Sequence, residues 1–146
     1  MILLNLPKFE IQVKEMDKGT CIFDVIRKKY IVLTPEEWVR QHFIHFLINS
    51  YKYPKSLMKV ESGLKYNNLQ KRSDILVYTR KGHPFLIVEC KASNVKLDSK
   101  VIDQAALYNK SIGADYIIVT NGMNFRCLKT TSIIVEWVEK IPVFPK

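Results

Sequence analysis

Two stretches decide how this chain is read: Arg72-Ser73-Asp74-Ile75-Leu76-Val77-Tyr78 and Leu86-Ile87-Val88-Glu89-Cys90-Lys91-Ala92, joined by the turn-like segment from Thr79 to Pro84. Both are short and rich in Ile, Leu, Val and Tyr, the signature of adjacent strands in a hairpin. Side chains alternate along a strand and each residue rises about 3.3 Å, so Glu89 and Lys91 point the same way roughly 7 Å apart while Cys90 faces opposite. In the obvious register Asp74 falls beside them on the neighbouring strand. Two carboxylates and an ammonium at the ends of apolar strands cost desolvation energy, which a hard divalent cation with its waters would offset. The alternative is a salt bridge between Lys91 and one carboxylate, with the second acid simply solvated at a strand end.

Working outward, Thr34-Pro35-Glu36-Glu37 carries the strongest local signal: Thr as N-cap, Pro at the first helical position and Glu37 three residues after the cap. The helix it starts is predicted to reach about Ser50, burying Val39, Phe43, Phe46 and Leu47, with Pro54 beyond its end. Before it, residues 9–33 read as a β-hairpin around Asp17-Lys18-Gly19 followed by a strand at Tyr30–Leu33. After it, residues 57–65 read as a strand and Tyr66–Gln70 as a turn. The hairpin bearing Asp74 and Glu89 is apolar on both faces, as a central, covered strand pair would be. A second helix fits Asp98–Ile112, with Val101, Ala105, Tyr108 and Ile112 facing the core and Gly113 as its stop. Tyr116–Thr120 is a buried strand ending in the turn signal Asn121-Gly122, and Asn124–Lys129 and Ser132–Val138 read as two more. The fold class is therefore α/β: a mixed central sheet flanked by helices, with an αβββαβ core and β-rich N- and C-terminal additions.

At 146 residues the chain reads as one domain, 1–146, able to bury roughly 70% of its unfolded surface. Cys21, Cys90 and Cys127 are odd in number and far apart, which suits free thiols in a reducing cytoplasm. The N-terminal residues lack the features of a cleaved signal, and no stretch approaches the roughly eighteen apolar residues of a membrane span, so a soluble, unprocessed, cytoplasmic protein without a membrane partner is expected. Lys plus Arg number 23 against 14 Asp plus Glu, a net charge of +9 that favours polyanionic partners, nucleic acid first among them. A merely lysine-rich solvated surface is the plainer reading. Tyr51, Tyr53 and Tyr66 interleave with part of the basic sequence, as at surfaces that contact phosphate.

Five blocks in order, Thr34–Gln41, Arg72–Tyr78, Val88–Ala92, Gln104 to Tyr108 and Ile118–Gly122, resemble the PD-(D/E)XK nuclease superfamily. More narrowly, they resemble the family of the N-terminal nuclease domain of type I restriction enzyme R subunits, over a core of about residues 28–128. The resemblance implies a restriction-endonuclease-like fold and a metal-dependent DNA endonuclease of restriction or DNA-processing type. It makes Asp74 and Glu89 the metal-binding carboxylates, Lys91 the group that orients the attacking water, and the Cys90 backbone carbonyl a further ligand. Glu37 matches an acid supplied from the first core helix, and Gln104 and Tyr108, at i and i+4, match a motif near the site or the DNA backbone. Lys71 and Arg72 fall beside the first carboxylate and are the expected phosphate contacts. Glu37 has the plainer role of closing a capping box, Tyr108 of packing in the core, while Gln104 is read as functional because an amide facing a sheet needs a partner.

Phosphodiester hydrolysis needs a nucleophilic water, charge stabilisation at phosphorus and help for the leaving oxygen, which Mg²⁺ on two carboxylates plus Lys91 would supply, with Mn²⁺ as substitute. Zinc is not expected without close Cys or His donors. His42 and His45 stand i, i+3 on a helix and are read as packing residues rather than ligands. Ser73 replaces the superfamily's Pro before the first Asp. No Gly-x-x-x-x-Gly-Lys-Ser/Thr loop is present, so this chain brings no ATPase motor of its own. Its functions divide into a metal-dependent nuclease, a DNA-binding module without chemistry, and an interaction subunit working with a motor or specificity subunit in trans.

Overall fold

The computed structural model describes the backbone of residues 1–60, 64–66, 69–71, 75–130 and 135–146, and the side chains of 1–60, 75–130 and 136–146. The elements in chain order are β1 (Val13–Met16), β2 (Gly19–Asp24), β3 (Lys29–Val32), α1 (Pro35–Tyr51), β4 (Met58–Lys59), β5 (Leu64–Tyr66), β6 (Leu69–Lys71), β7 (Ile75–Tyr78), β8 (Pro84–Cys90), α2 (Ser99–Ile112), β9 (Tyr116–Thr120), β10 (Phe125–Thr130) and β11 (Val135–Val138). Among the described residues, six strands form a mixed sheet in the order β11-β10-β9-β8-β7-β4. Neighbours run antiparallel except β8 and β9, which are parallel. A parallel pair needs a crossover, and α2 is that crossover.

Each helix covers one face. Val39, Phe43, Ile44 and Leu47 of α1 pack on Ile75, Val77, Leu86, Val88, Cys90, Ile118 and Cys127. On the other face Tyr108 of α2 meets Leu76 and Ile87, and Ala105 meets Ile117, Val119 and Leu128. Sheet residues of opposite parity thus go to opposite helices, which is why β7, β8 and β9 read as unbroken apolar runs. The mixed α/β architecture with a two-sided sheet is the one expected.

Both helices begin and end within a residue of the limits read from the sequence, α1 running to Tyr51 with Lys52 as its cap and α2 starting at Ser99 with Asp98 as its N-cap. The Thr34 hydroxyl accepts from Glu37 N and the Asp98 carboxylate from Val101 N, each satisfying an orphan donor of a first turn. Gly113 ends α2 in the left-handed region at φ 79°, where a side chain would be strained. Beyond β9, Gly122 at φ 82° lets Leu4 approach, and a Cβ there would lie 2.9 Å from a Leu4 methyl.

Several expectations are corrected. The single strand at 57–65 is instead a 3₁₀ turn at Lys55–Leu57, the two-residue β4, and a fresh start at Leu64. The turn expected at Tyr66–Gln70 is partly strand: β5 and β6 pair with Tyr66 opposite Leu69 and Lys65 opposite Gln70. Backbone pairing needs no apolar side chain, so a polar hairpin passes for a loop. The acid-bearing hairpin is interior as expected, β8 lying between β9 and β7 and β7 between β8 and the short edge strand β4. Tyr53, read as a surface residue, is buried and donates from its hydroxyl to the Pro142 carbonyl at 2.6 Å. Phe46, expected in the core, is half-buried.

Phe43 is fully buried between α1 and the sheet. Phe43→Ala should therefore cost about 3–5 kcal/mol in urea unfolding, with little change in the urea dependence itself.

Candidate active site

The parallel β8/β9 pair ends where the candidate site begins. Glu89 lies opposite Val119 and Cys90 opposite Thr120, and Lys91 N donates to the Thr120 carbonyl at 2.8 Å, so the pairing holds the chain straight through the site. Alternation puts the buried Cys90 side chain among the α1-side core and Glu89 on the face that carries Ile87 and Val119, beneath α2. Lys91 Nζ stands 3.4 Å from Glu89 Oε1, with the two side chains 27% and 16% exposed. The acid and the amine of the short motif therefore converge, and both remain open to solvent. A fully dry ion pair would have left no access for substrate.

Asp74, Lys71 and Arg72, the other carboxylate and the expected phosphate contacts, lie outside the residues whose side chains are described. The nearest described pair beside Asp74 is Ile75 with Val88. Among the described residues no group of three His, Cys, Asp or Glu side chains is placed to hold a metal ion.

Gln104 and Tyr108 do not present together. Gln104 is exposed on α2 rather than facing the sheet, which removes the reason given for its being functional, while Tyr108 is 3% exposed and packs on Leu76 and Ile87. A spacing of four residues leaves a helical pair offset by about 40°, enough to straddle the edge of a buried stripe. Tyr108 thus takes its plainer role in the core.

Glu37 is buried in a network that sequence reasoning missed. Its Oε2 accepts from Arg27 Nη2 at 3.0 Å and from Gln41 Nε2 at 2.8 Å, and its Oε1 from Arg40. Arg27 Nε also meets Asp24 Oδ2 at 2.7 Å, and Gln41 Nε2 reaches the same oxygen at 3.0 Å. Asp24 Oδ1 accepts from the backbone of Ile26 and Arg27 at 2.8 and 2.9 Å. The cluster joins the end of β2 to α1. Burial acts to raise the Asp24 pKa, but hydrogen bonds and charge from Arg27, with Gln41, outweigh it and hold the carboxyl below the usual range. The available signal was Asp24 itself, a carboxylate inside the apolar run Cys21–Ile26. Arg27, one of the residues behind the net charge of +9, is largely committed to these acids.

His42 and His45 pack as expected. His42 Nδ1 lies 2.8 Å from the Trp38 carbonyl, and His45 stacks on Phe9 with ring centroids 4.1 Å apart. Burial lowers both pKa values. All three cysteines are buried and none forms a disulfide, and burial pushes the Cys127 thiol up to about 12, so it is inert as a nucleophile.

The family described as type I restriction enzyme R protein N terminus matches residues 35–145. The chain belongs to that family. Among solved structures, the fragment structure of a candidate HsdR subunit of a type I restriction enzyme from Vibrio vulnificus YJ016 is similar at 25% identity and a TM-score of 0.41, covering 58% of this chain and 17% of that one. The chain thus spans a small part of that protein's length. No curated protein matches. The family match takes in α1, the acid-bearing hairpin, α2 and β9.

Two consequences of the buried groups are measurable. Lowered histidine pKa values mean that the unfolded chain binds more protons, so the thermal midpoint should fall as pH drops below the ordinary histidine value of 6.5. The depressed Asp24 carboxyl adds stability above its ordinary value of 3.8, so a second decline should follow below that pH. Arg27→Ala leaves Asp24 and Glu37 buried with a donor missing, and should lower unfolding stability by about 3–5 kcal/mol in urea titrations at neutral pH.

Proposed function

We propose that this R-protein N-terminal domain is a metal-dependent deoxyribonuclease whose reacting groups are Asp74, Glu89 and Lys91. The observation that carries it is the convergence of Glu89 and Lys91 at 3.4 Å on one face of a covered sheet, both part-exposed. The donor chemistry supports a hard cation: the Asp74 and Glu89 carboxylates and the Cys90 carbonyl are oxygen donors of the kind Mg²⁺ takes, with Mn²⁺ able to substitute. Soft donors are spent elsewhere, since the cysteines are buried and His42 and His45 are stacked against Phe9, His42 edge-on and His45 face to face. When bound, the ion supplies positive charge that favours a deprotonated water and offsets charge building on the phosphate.

The chain's own residues do the rest. Lys91 has three N–H donors and no acceptor, so it holds the attacking water by its oxygen, orients it toward phosphorus and disfavours its proton. Glu89, 3.4 Å away, holds the ammonium in place. The rigid β8/β9 pairing fixes both groups within hydrogen-bond reach of one point, the condition for near-attack alignment. Glu37, with both oxygens committed to Arg27, Arg40 and Gln41, anchors α1 behind the site. Lys71 and Arg72 complete the reading as phosphate contacts on the strand side.

A DNA-binding or interaction module without chemistry, working with a motor or specificity subunit in trans, is the second reading, favoured by the net charge of +9. Plasmid and linear DNA incubated with Mg²⁺ or Mn²⁺ separate the two. Under the nuclease reading Asp74→Ala, Glu89→Gln and Lys91→Ala each lower cleavage by about 100-fold or more. The ion raises the thermal midpoint of the wild type and not that of Asp74→Ala. DNA binding without cleavage, equal in all four proteins, would leave the module.

A further inference from the structure

Extending the register across the sheet brings in a residue that none of the motifs contains. Glu89 on β8 lies opposite Val119 on β9, and Val119 lies opposite Arg126 on β10. Glu89, Val119 and Arg126 form one row across three strands, so Arg126 leaves the sheet on the face of Glu89, two strand spacings or about 10 Å away. Parity agrees, since Leu128, two residues on, packs beneath α2 with Val119. Val101, Ile102 and Ala105 of α2 cover Val119, so the start of α2 stands between Glu89 on one flank and Arg126 on the other.

Arg126 is exposed, and its guanidinium lies 5.8 Å from the centroid of the Trp137 ring on the edge strand β11. Trp137 pairs with Leu128, making it the diagonal neighbour of Arg126, within reach of a long side chain. The indole is 56% exposed, unusual for the largest apolar side chain. Among the described residues no ion pair holds Arg126: Glu136 lies opposite Lys129 on the other face, and Glu139, which follows Val138 just past the paired end of β11 and so comes nearest across from Arg126, is itself exposed and makes no salt bridge to it. An arginine resting over an aromatic ring keeps its planar fork of donors pre-organised and free of a salt bridge, which suits a phosphate oxygen. Lys96 and Lys100 are exposed where α2 begins, between the two flanks, and extend the positive charge along the same path.

We infer that Arg126 is a DNA phosphate contact, with Trp137 as its positioning residue, and that a DNA strand entering the site passes across the start of α2 to reach it. This rests on the nuclease reading for the direction of the strand. The contact itself is read without chemistry.

Fluorescence anisotropy of labelled single-stranded and duplex oligonucleotides, titrated across salt without divalent ions, tests it on the whole chain. At about 0.1 M salt Arg126→Ala should weaken binding by about 5- to 10-fold and lower the slope of log affinity against log salt by about 1. Arg126→Lys should keep the slope and lose part of the affinity, because the charge remains and the fork does not. Trp137→Ala should weaken binding by a smaller factor, and Trp137→Phe should restore most of it. A preference for one oligonucleotide form says whether the phosphate belongs to a separated strand or a duplex. Unchanged affinity and slope in Arg126→Ala, or a lowered thermal midpoint with an unchanged slope, overturns the assignment, as does a wild type that binds neither oligonucleotide. Cleavage assays of Lys91→Ala report separately. If that variant cuts like the wild type, the catalytic reading falls while the Arg126 slope stands or fails on its own.

Discussion

The parallel pairing of β8 with β9 is the constraint on which the other features depend. It requires a crossover, and α2 is the segment that makes it. With α1 on the opposite face, Val88, Ile118 and Val119 become fully buried, and charge has no place along the middle of these strands. Glu89 and Lys91 are tolerated because they sit at the rim of the cover given by the start of α2, where both side chains still reach solvent. The same pairing carries the chain past the strand end through the Lys91 to Thr120 hydrogen bond, so that a lysine just outside β8 is still held in line.

A second constraint comes from the buried polar and charged groups of α1. The helix buries Glu37, Arg40, Gln41 and His42 together with its apolar stripe, so almost its whole circumference is enclosed over the first turns. Removing charges from water is unfavourable unless they meet partners, and Arg27 and Asp24 arrive from the end of β2 to provide them. The N-terminal three-stranded sheet is thereby tied to the helix that backs the site, and the outermost N-terminal residues join through Trp38 Nε1, which donates to the Ile2 carbonyl at 2.7 Å. Such a network ties the orientation of α1 to that of the hairpin before it.

Positive charge in this chain divides by tertiary placement. Arg27 and Arg40 are spent inside on Asp24, Glu36 and Glu37, whereas Arg80 stays exposed over Phe144, away from the row of Glu89. Arg126 on its indole remains on the face of the site. A net charge of +9 says that a polyanion is favoured, but only burial says which arginines are left to meet one.

Local signals were legible wherever the physics is local. Thr34 with Pro35, Asp98 and Gly113 mark helix ends because caps satisfy orphan backbone groups within a few residues, and the two-sided apolar runs of β7, β8 and β9 announce a covered sheet. The polar hairpin of β5 and β6 was invisible because main-chain hydrogen bonds leave no mark on composition. By itself the sequence determined the α/β class, the helix limits, the family blocks and the shared direction of Glu89 and Lys91, all consequences of periodicity within one element. Only the tertiary structure decided that Glu37 is clasped by Arg27 from a distant strand, that Tyr108 turns inward while Gln104 faces water, and that Arg126 shares a row with Glu89. Burial and cross-strand register arise between segments far apart in the chain, and no local pattern of residues encodes them.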